Sequence, residues 1–364
     1  MTPTRRSALG GAAAVLAATS ARAAPAREAV SLYAHRGASA WRPEHTEGAY
    51  LKAVADGADF IEPDLVSTRD GVLVARHEPD IHETTDVSAR PEFASRRRTV
   101  QFDGRTVTGW FACDFNLAEL KTLRARERLP RIRPESARYD GRWPVMTFTE
   151  VMDLAERESR RTGRTIGVVP ELKSSTWHAA QGHAIDDAFL RVIRRHPHAR
   201  RAPLHVQSFE VGNLRRLRSM IGHPANVRLV QLVGASAERP VDRPAITYGA
   251  MSGPEGLREV ARYADVLAPP LREVIPVDGE GRLLPPRPVV ADAHAAGLGV
   301  VVWTFRPENA FLPADLRGPG APEARHEAGS LEEMRRFLQL GVDGFFTDDP
   351  ALGRRAIDSF RRAA

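Results

Sequence analysis

Eight short apolar runs punctuate the chain: VSLYAH (30–35), DFIEPDL (59–65), TIGVVPELK (165–173), PLHVQSF (203–209), VRLVQLV (227–233), DVLAP (265–269), LGVVVWTF (298–305) and VDGFFTD (342–348). Their near-continuous apolar character is that of strands buried on both faces of a parallel sheet. Between most of them the apolar positions recur at helical spacing, as in TEGAYLKAVADG (46–57) and TFTEVMDLAERESRRTG (147–163). Eight strand–helix units predict an α/β fold, a TIM (β/α)8 barrel.

The rhythm breaks between about 78 and 146, a polar stretch carrying WFACDF (110–115) and the amphipathic piece NLAELKTLRARE (116–127). This stretch reads as a small subdomain inserted after the strand that ends in His77. Two loops rich in Pro and Gly, about 269–287 and 306–329, are expected over one rim of the barrel.

Polar residues that interrupt the apolar pattern collect at one end of the predicted strands: His35-Arg36, Glu62 and Asp64, Glu171 and Lys173, Gln207, Gln231, Trp303-Thr304 and Asp348. In such barrels the chemistry sits where strands end and loops begin. Glu62 and Asp64 are two apart and share one face of a strand. Asp70-Gly71 is a strong two-residue turn signal, and a two-residue loop there would set Asp64 directly opposite His77. With Glu171, the two acids form a set of hard oxygen ligands suited to one divalent cation, Mg²⁺, Ca²⁺ or Mn²⁺ rather than zinc. The alternative is an edge strand with Glu62 and Asp64 in solvent, which would require Ile61 and Leu65 to pack inward.

His35 stands beside Arg36, a bidentate donor to phosphate or carboxylate, and Gly37, which lets backbone approach a ligand. Glu44, in PEHTEGA (43–49), is either a helix-start acid or a support behind the site. Lysine occurs only at 52, 121 and 173 in a chain otherwise rich in arginine. Lys173, two residues after a buried-strand acid, therefore points to a need for a compact ammonium charge. Trp303 either walls the pocket or packs the barrel.

The 364 residues, 42% of them apolar, suffice for one large domain after an N-terminal extension. That extension, residues 1–23, has Arg5-Arg6, an Ala/Leu/Val run and an A-x-A-like site at Ala21-Arg22-Ala23. It predicts an export signal of the twin-arginine or the general secretory kind, hence a periplasmic or extracellular protein, with residues 24–364 as the mature domain. No later run is long and apolar enough to span a bilayer, so no stable membrane anchor is expected. Loss of Arg5, Arg6 and Arg22 lowers the formal charge from +6 to +3. The arginine clusters at 96–98, 194–195 and 215–216 read as solvated faces, and without a basic stripe and stacking aromatics no nucleic-acid role is expected. The single cysteine, Cys113, excludes an intrachain disulfide and a thiolate metal site.

The combination HRGA, PEHT, GADFIEPDLVSTRDGVLVARHEP and PELK, followed by VWTF and DGFFTDDP, resembles the glycerophosphodiester phosphodiesterase family, in particular its exported, glycerol-3-phosphate-releasing branch. The resemblance covers most of residues 30–360. It implies a metal-dependent TIM-barrel hydrolase with a small glycerophosphodiester as substrate. It also implies catalytic histidines at His35 and His77, metal carboxylates at Glu62, Asp64 and Glu171, and phosphate-binding groups at Arg36 and Lys173; Glu44 and Gln207, from their own positions, are expected as supports behind these groups. Two positions depart from the family pattern. His45 stands where Asn is common, and Glu78 follows the second histidine where Asp is usual, which lengthens the reach of any carboxylate partner to His77. Glycerol-phosphate polymers such as teichoic acids, lipid headgroups, and capture of the diester without cleavage are the competing readings.

Overall fold

Each of the eight apolar runs forms strand in the computed structural model, which describes residues 30–363. The strands are β1 (Ser31–Ala34), β2 (Phe60–Ile61), β3 (Asp64–Ser67), β4 (Leu73–Ala75), β5 (Arg98–Phe102), β6 (Arg105–Gly109), β7 (Gly167–Val168), β8 (Glu171–Leu172), β9 (Leu204–Ser208), β10 (Val227–Leu232), β11 (Val266–Ala268), β12 (Gly299–Phe305) and β13 (Gly344–Thr347). A closed parallel ring runs β1–β2–β7–β9–β10–β11–β12–β13 and back to β1. The predicted export signal at residues 1–23 lies outside the described residues.

Two staves are broken, each at a proline. Pro63 separates β2 from β3 and Pro170 separates β7 from β8, since proline has no N–H to give to a ladder. Their carbonyls still serve: Glu171 N donates to Pro63 O at 2.9 Å and Gln207 N to Pro170 O at 2.9 Å. Above the breaks β3, β8 and β9 re-pair in parallel, with Asp64 level with Glu171 and Glu171 level with Gln207. The two prolines thus set a polar layer on top of the apolar one.

That apolar layer is the barrel floor. Tyr33, Phe60, Val230, Val301 and Phe346 fill the interior, with Tyr33 stacked on Phe60 at 4.6 Å between ring centroids. Gly167 lies opposite Phe60, and a Cβ there would come within 2.3 Å of the Phe60 ring, so the position demands glycine. A second layer packs the outer faces of the strands against the helices. Helix Phe148–Thr162 is punctuated at both ends: Thr147 and Glu150 form a capping box, and Gly163 ends it at φ 68°.

The hairpin from β3 to β4 corrects the expected register. Leu65 pairs with Ala75, Val66 with Val74 and Ser67 with Leu73, which places Asp64 opposite Arg76, not His77. The loop holds three residues, closed by Thr68 N donating to Val72 O at 2.9 Å. Gly71 has φ 76°, whereas Asp70 is not in the left-handed region that a two-residue type I′ loop requires of both residues. Asp70 instead accepts from Thr68 Oγ1 at 2.5 Å and Leu117 N at 3.1 Å, pinning the insertion to the hairpin. The same dipeptide makes the two-residue turn elsewhere. Asp103 and Gly104, at φ 48° and 73°, join β5 to β6 with Phe102 paired to Arg105.

The insertion has its own core, in which Ile81, Val87, Phe93, Trp110, Phe115, Leu120 and Leu123 pack on Val66 and Val74. Of the amphipathic piece 116–127 only Leu117–Leu120 is helical. Beyond it Arg124 and Ala125 turn extended to bridge Pro144 and Thr85. The β5–β6 hairpin leans back on the barrel, Phe102 lying edge-on to Trp177 at 5.6 Å between centroids.

Candidate active site

The polar layer begins with three carboxylates. Asp64 opens β3, Glu171 opens β8, and Glu62 sits in the break before Pro63. All three are buried, and one oxygen of each lies within 4.8 Å of the others. Gln207 Nε2 donates to Glu62 Oε1 at 3.1 Å, and Arg36 N donates to Glu62 Oε2 at 2.7 Å. Asp64 Oδ2 accepts from His45 Nε2 at 2.9 Å, with Arg36 Nε 3.3 Å away. Asp64 Oδ1 is buried without a hydrogen-bond partner.

Three acids so close cannot all ionise without compensating charge. Burial, then the charge of Asp64, pushes the Glu62 carboxyl well above the usual carboxylate range. Burial likewise pushes Glu171 up to about 8, against the pull of Lys173, whose Nζ is 2.7 Å from Glu171 Oε1. Asp64 is the anionic member: burial opposes its charge, but Lys173, His77 and His45 hold it well below the usual range. A divalent cation fits this donor set, which offers hard oxygens, a shortage of positive charge and an orphaned carboxylate oxygen.

Two imidazoles face the acids from other strand ends. His35 follows β1, and its Nδ1 donates to Asp348 Oδ1 at 2.6 Å, one residue past the end of β13. His77 follows β4, and its Nδ1 donates to the Glu78 carboxylate. In both rings the carboxylate fixes the proton on Nδ1, which leaves Nε2 of the neutral ring free to accept a proton. Burial, then the charge of Arg36, pushes His35 down to about 4 and His77 down to about 3. The longer reach of glutamate at position 78 thus does not cost His77 its partner.

Arg36 and Lys173 complete the charge on this face. Arg36 is buried at φ 61°, and its Nη1 donates to Glu44 Oε2 at 3.1 Å. His45, at φ 58°, is a second non-glycine residue in the left-handed region, joined to the first by His45 N donating to Arg36 O at 3.0 Å. Such strain concentrates where surrounding structure over-determines it. A cavity of about 970 Å³ opens above the layer, lined by His35, Arg36, Glu62, His77, Glu171, Lys173 and Gln207. Phe209, Tyr248 and Trp303 of the barrel and Phe102, Asp103 and Arg105 of the insertion add to its lining. Trp303 Nε1 donates to Ala268 O at 2.9 Å, and its ring meets Phe209 edge-on at 5.7 Å, so it walls the cavity from a fixed position.

All but one of the residues singled out from the sequence reach the site or its support, with Asp64 and Glu44 just behind the cavity wall. Gln231 does not reach it: its amide is tied to backbone carbonyls and to the Tyr263 hydroxyl. The pattern did not assign His45 or Tyr50, which back Asp64, nor the carboxylate partnerships of Asp348 and Glu78. Asp348 carried a signal, as an acid at a strand end. His45 carried only its departure from a common family residue.

A sequence model of the Glycerophosphoryl diester phosphodiesterase family matches residues 35–352. The glycerophosphodiester phosphodiesterase GDPD6 of Arabidopsis thaliana is 32% identical over 328 residues, covering 86% of this chain and 82% of that one. That of Treponema pallidum (strain Nichols) is 28% identical over 346 residues, covering 88% and 90%. Among solved structures, an Oleispira antarctica phosphodiesterase in complex with the product sn-glycerol-3-phosphate superposes with a TM-score of 0.58 at 20% identity, covering 90% of this chain and 96% of that one. A glycerophosphodiester phosphodiesterase from Parabacteroides distasonis gives 0.55 at 16%, covering 93% and 100%. At those identities the structures speak to the fold alone, a TIM barrel.

Fold and site together define a barrel hydrolase with paired imidazoles over an acidic centre. The chain belongs to the glycerophosphodiester phosphodiesterase family, and the protein is an enzyme of that class.

Proposed function

We propose that the enzyme hydrolyses glycerophosphodiesters to sn-glycerol 3-phosphate and an alcohol such as choline or ethanolamine. The observation that carries this reading is the arrangement of His35 and His77, each with a free Nε2, around one cavity that also holds Glu62, Glu171, Arg36 and Lys173. Capture of a diester needs the positive charge but not two imidazoles.

Glu62, Asp64 and Glu171 would hold one divalent cation, Ca²⁺ or Mg²⁺. When bound it supplies positive charge to the phosphoryl oxygens as a Lewis acid. Arg36 and Lys173 bind the same anion and stabilise the charge that builds on it in the transition state. One histidine accepts the proton of the nucleophile, water or the neighbouring glycerol hydroxyl, as its oxygen bonds to phosphorus. Where the glycerol hydroxyl attacks, water opens the resulting cyclic phosphate in a second step to give glycerol 3-phosphate. The other, protonated beside the phosphodiester anion, gives its proton to the departing alcohol as the P–O bond breaks. Asp348 and Glu78 keep both rings in the required tautomer. The bound sn-glycerol-3-phosphate of the Oleispira relative supports the assignment of product.

The Arg5-Arg6 pair and the apolar run after it support export of the mature domain, residues 24–364, to the periplasm or beyond. Among the described residues no helix is long and apolar enough to cross a membrane.

The test is enzyme-coupled detection of glycerol 3-phosphate across a panel of glycerophosphodiesters with Ca²⁺ or Mg²⁺ present. Multiple turnovers are expected. Binding of glycerophosphocholine without release of glycerol 3-phosphate would establish a binding protein instead.

A further inference from the structure

The carboxylate partners of the two histidines are each held in turn by an arginine of the insertion, and Asp348 is held as well by Arg306 Nε at 2.9 Å. Arg128 makes paired contacts with two carboxylates at once. Its Nε and Nη2 donate to Glu44 at 2.9 and 2.8 Å, and its Nη1 and Nη2 donate to Glu78 at 3.0 and 2.6 Å. Glu78 is the carboxylate on His77 Nδ1, and Glu44 is the carboxylate on Arg36. Five residues on, Arg133 donates from Nη2 to Asp348 Oδ2 at 2.6 Å, the other oxygen of the carboxylate that holds His35. Its Nε donates to Glu308 at 2.8 Å and its Nη1 to Ser39 O at 3.1 Å, and its side chain is only 5% exposed. Arg131, between the two, is exposed.

These contacts are more than a way of fastening the insertion. The insertion already packs through its own apolar core and through Asp70 on Leu117. Burying two guanidinium groups costs free energy that paired contacts must offset, and an apolar contact would fasten the segment without that cost. A guanidinium supplies a planar fork. That of Arg128 closes on both oxygens of Glu78, while that of Arg133 is locked on Glu308 and from there aims one Nη2 donor at Asp348, so each arginine holds its carboxylate in one rotation. A carboxylate with a fixed rotation in turn fixes the imidazole it accepts from. The same three-part chain, imidazole to carboxylate to arginine, occurs at both histidines, and both arginines lie in the segment RERLPRIR (126–133).

We propose that Arg128 and Arg133 are positioning residues of the reaction, so that docking of the insertion completes the geometry of both histidines. The inference rests on the reading of His35 and His77 as the acid–base pair. Loss of either arginine should lower kcat by about 10–100-fold, the usual cost of removing a group that orients a reacting side chain. Arg133 touches neither Arg36 nor Lys173, so its loss should leave KM within about threefold.

The experiment is steady-state release of glycerol 3-phosphate from glycerophosphocholine at saturating Ca²⁺ or Mg²⁺, well below the melting temperature of each variant. Wild type, Arg128→Met, Arg133→Met, Arg128→Lys, Arg133→Lys and Arg131→Met are compared, with Mn²⁺ affinity and circular dichroism measured for each. Expected are a fall in kcat for both Met variants, partial recovery in the Lys variants, which keep the charge but not the fork, and wild-type behaviour of Arg131→Met. If a Met variant does not fold, its Lys variant carries the test, with lowered kcat expected at unchanged Mn²⁺ affinity. A folded Lys or Met variant at either position with wild-type kcat, or an equal loss in Arg131→Met, overturns the proposal. A wild type that releases no glycerol 3-phosphate would instead overturn the functional reading beneath it.

Discussion

His45 Nε2 lies 2.9 Å from Asp64 Oδ2, and both side chains are fully buried. A carboxylate only accepts, so Nε2 carries the ring proton, and Nδ1 of the neutral ring accepts from the Tyr50 hydroxyl at 2.9 Å. Burial, opposed by Asp64, keeps the His45 pKa below its ordinary value, which favours that neutral ring. His45 therefore fixes one oxygen of Asp64 and leaves Oδ1 buried without a hydrogen-bond partner. His45→Ala should weaken divalent-cation binding by about 10–100-fold, as loss of an orienting partner behind a ligand does. His45→Asn, which keeps a side-chain N–H donor, should retain most of it. Titration calorimetry with Ca²⁺ or Mn²⁺ measures both, and unchanged affinity in His45→Ala would separate His45 from the metal centre.

A cation on Glu62, Asp64 and Glu171 should also stabilise the fold, because it relieves the mutual repulsion of buried acids. A ligand at 100 times its Kd adds about 2.7 kcal/mol to a folded state that alone binds it. Thermal melts in Ca²⁺ or Mg²⁺ should therefore lie above melts in chelator, and chelation should abolish turnover. The increment should vanish in Asp64→Asn, while a rise in melting temperature that survives this substitution would place the ion elsewhere.

The barrel floor sets a pH dependence away from the site. His205 Nδ1 is 2.8 Å from the Tyr33 hydroxyl, and burial, then the charge of Arg228, pushes its pKa down to about 3. The unfolded chain titrates this group near 6.5 and so binds a proton that the folded chain refuses between about pH 6.5 and 3. Stability from this group is full above pH 6.5 and falls with pH through that window. His205→Gln, which keeps a polar partner for Tyr33 but does not titrate, should show a shallower drop in melting temperature from pH 6.5 to 4. An equally steep drop would assign the acid sensitivity to other groups, among them His178, which burial also pushes down to about 3.

The barrel was legible because its strands are buried on both faces, which writes them as apolar runs, and the site because acids, histidines and cations gather at the C-terminal ends of several of those runs. The register of the β3–β4 hairpin was not. Asp70-Gly71 and Asp103-Gly104 are the same dipeptide, yet one closes a three-residue loop and the other a two-residue loop. What separates them is tertiary: Asp70 is drawn to Thr68 and Leu117. His77 still reaches the site, because it lies beyond the last pair of β4 and is aimed by Glu78 rather than by a strand partner. The arginines behind the histidines were hidden for a like reason. Arg128 and Arg133 lie in an arginine-rich stretch with no periodicity, and only folding separates them from exposed Arg131.

The turn itself gives a stability prediction. Gly71 has φ 76° with open space where a Cβ would point, so Gly71→Ala carries backbone strain without a clash. The expected cost is about 1–2 kcal/mol in urea unfolding, and less for Gly71→Asn, since asparagine tolerates the left-handed region. No difference between Gly71→Ala and wild type would contradict the three-residue loop.

The central claim is that His35 and His77 work as a pair across one acidic centre. The most direct measurement is the kcat for glycerol 3-phosphate release by His35→Ala and His77→Ala, each saturated with metal and shown by circular dichroism to be folded. Each imidazole acting as acid or base is worth about 10²–10⁴ in rate, so both variants should lose at least about a hundredfold while still binding Mn²⁺. Near-normal turnover in either variant would contradict it.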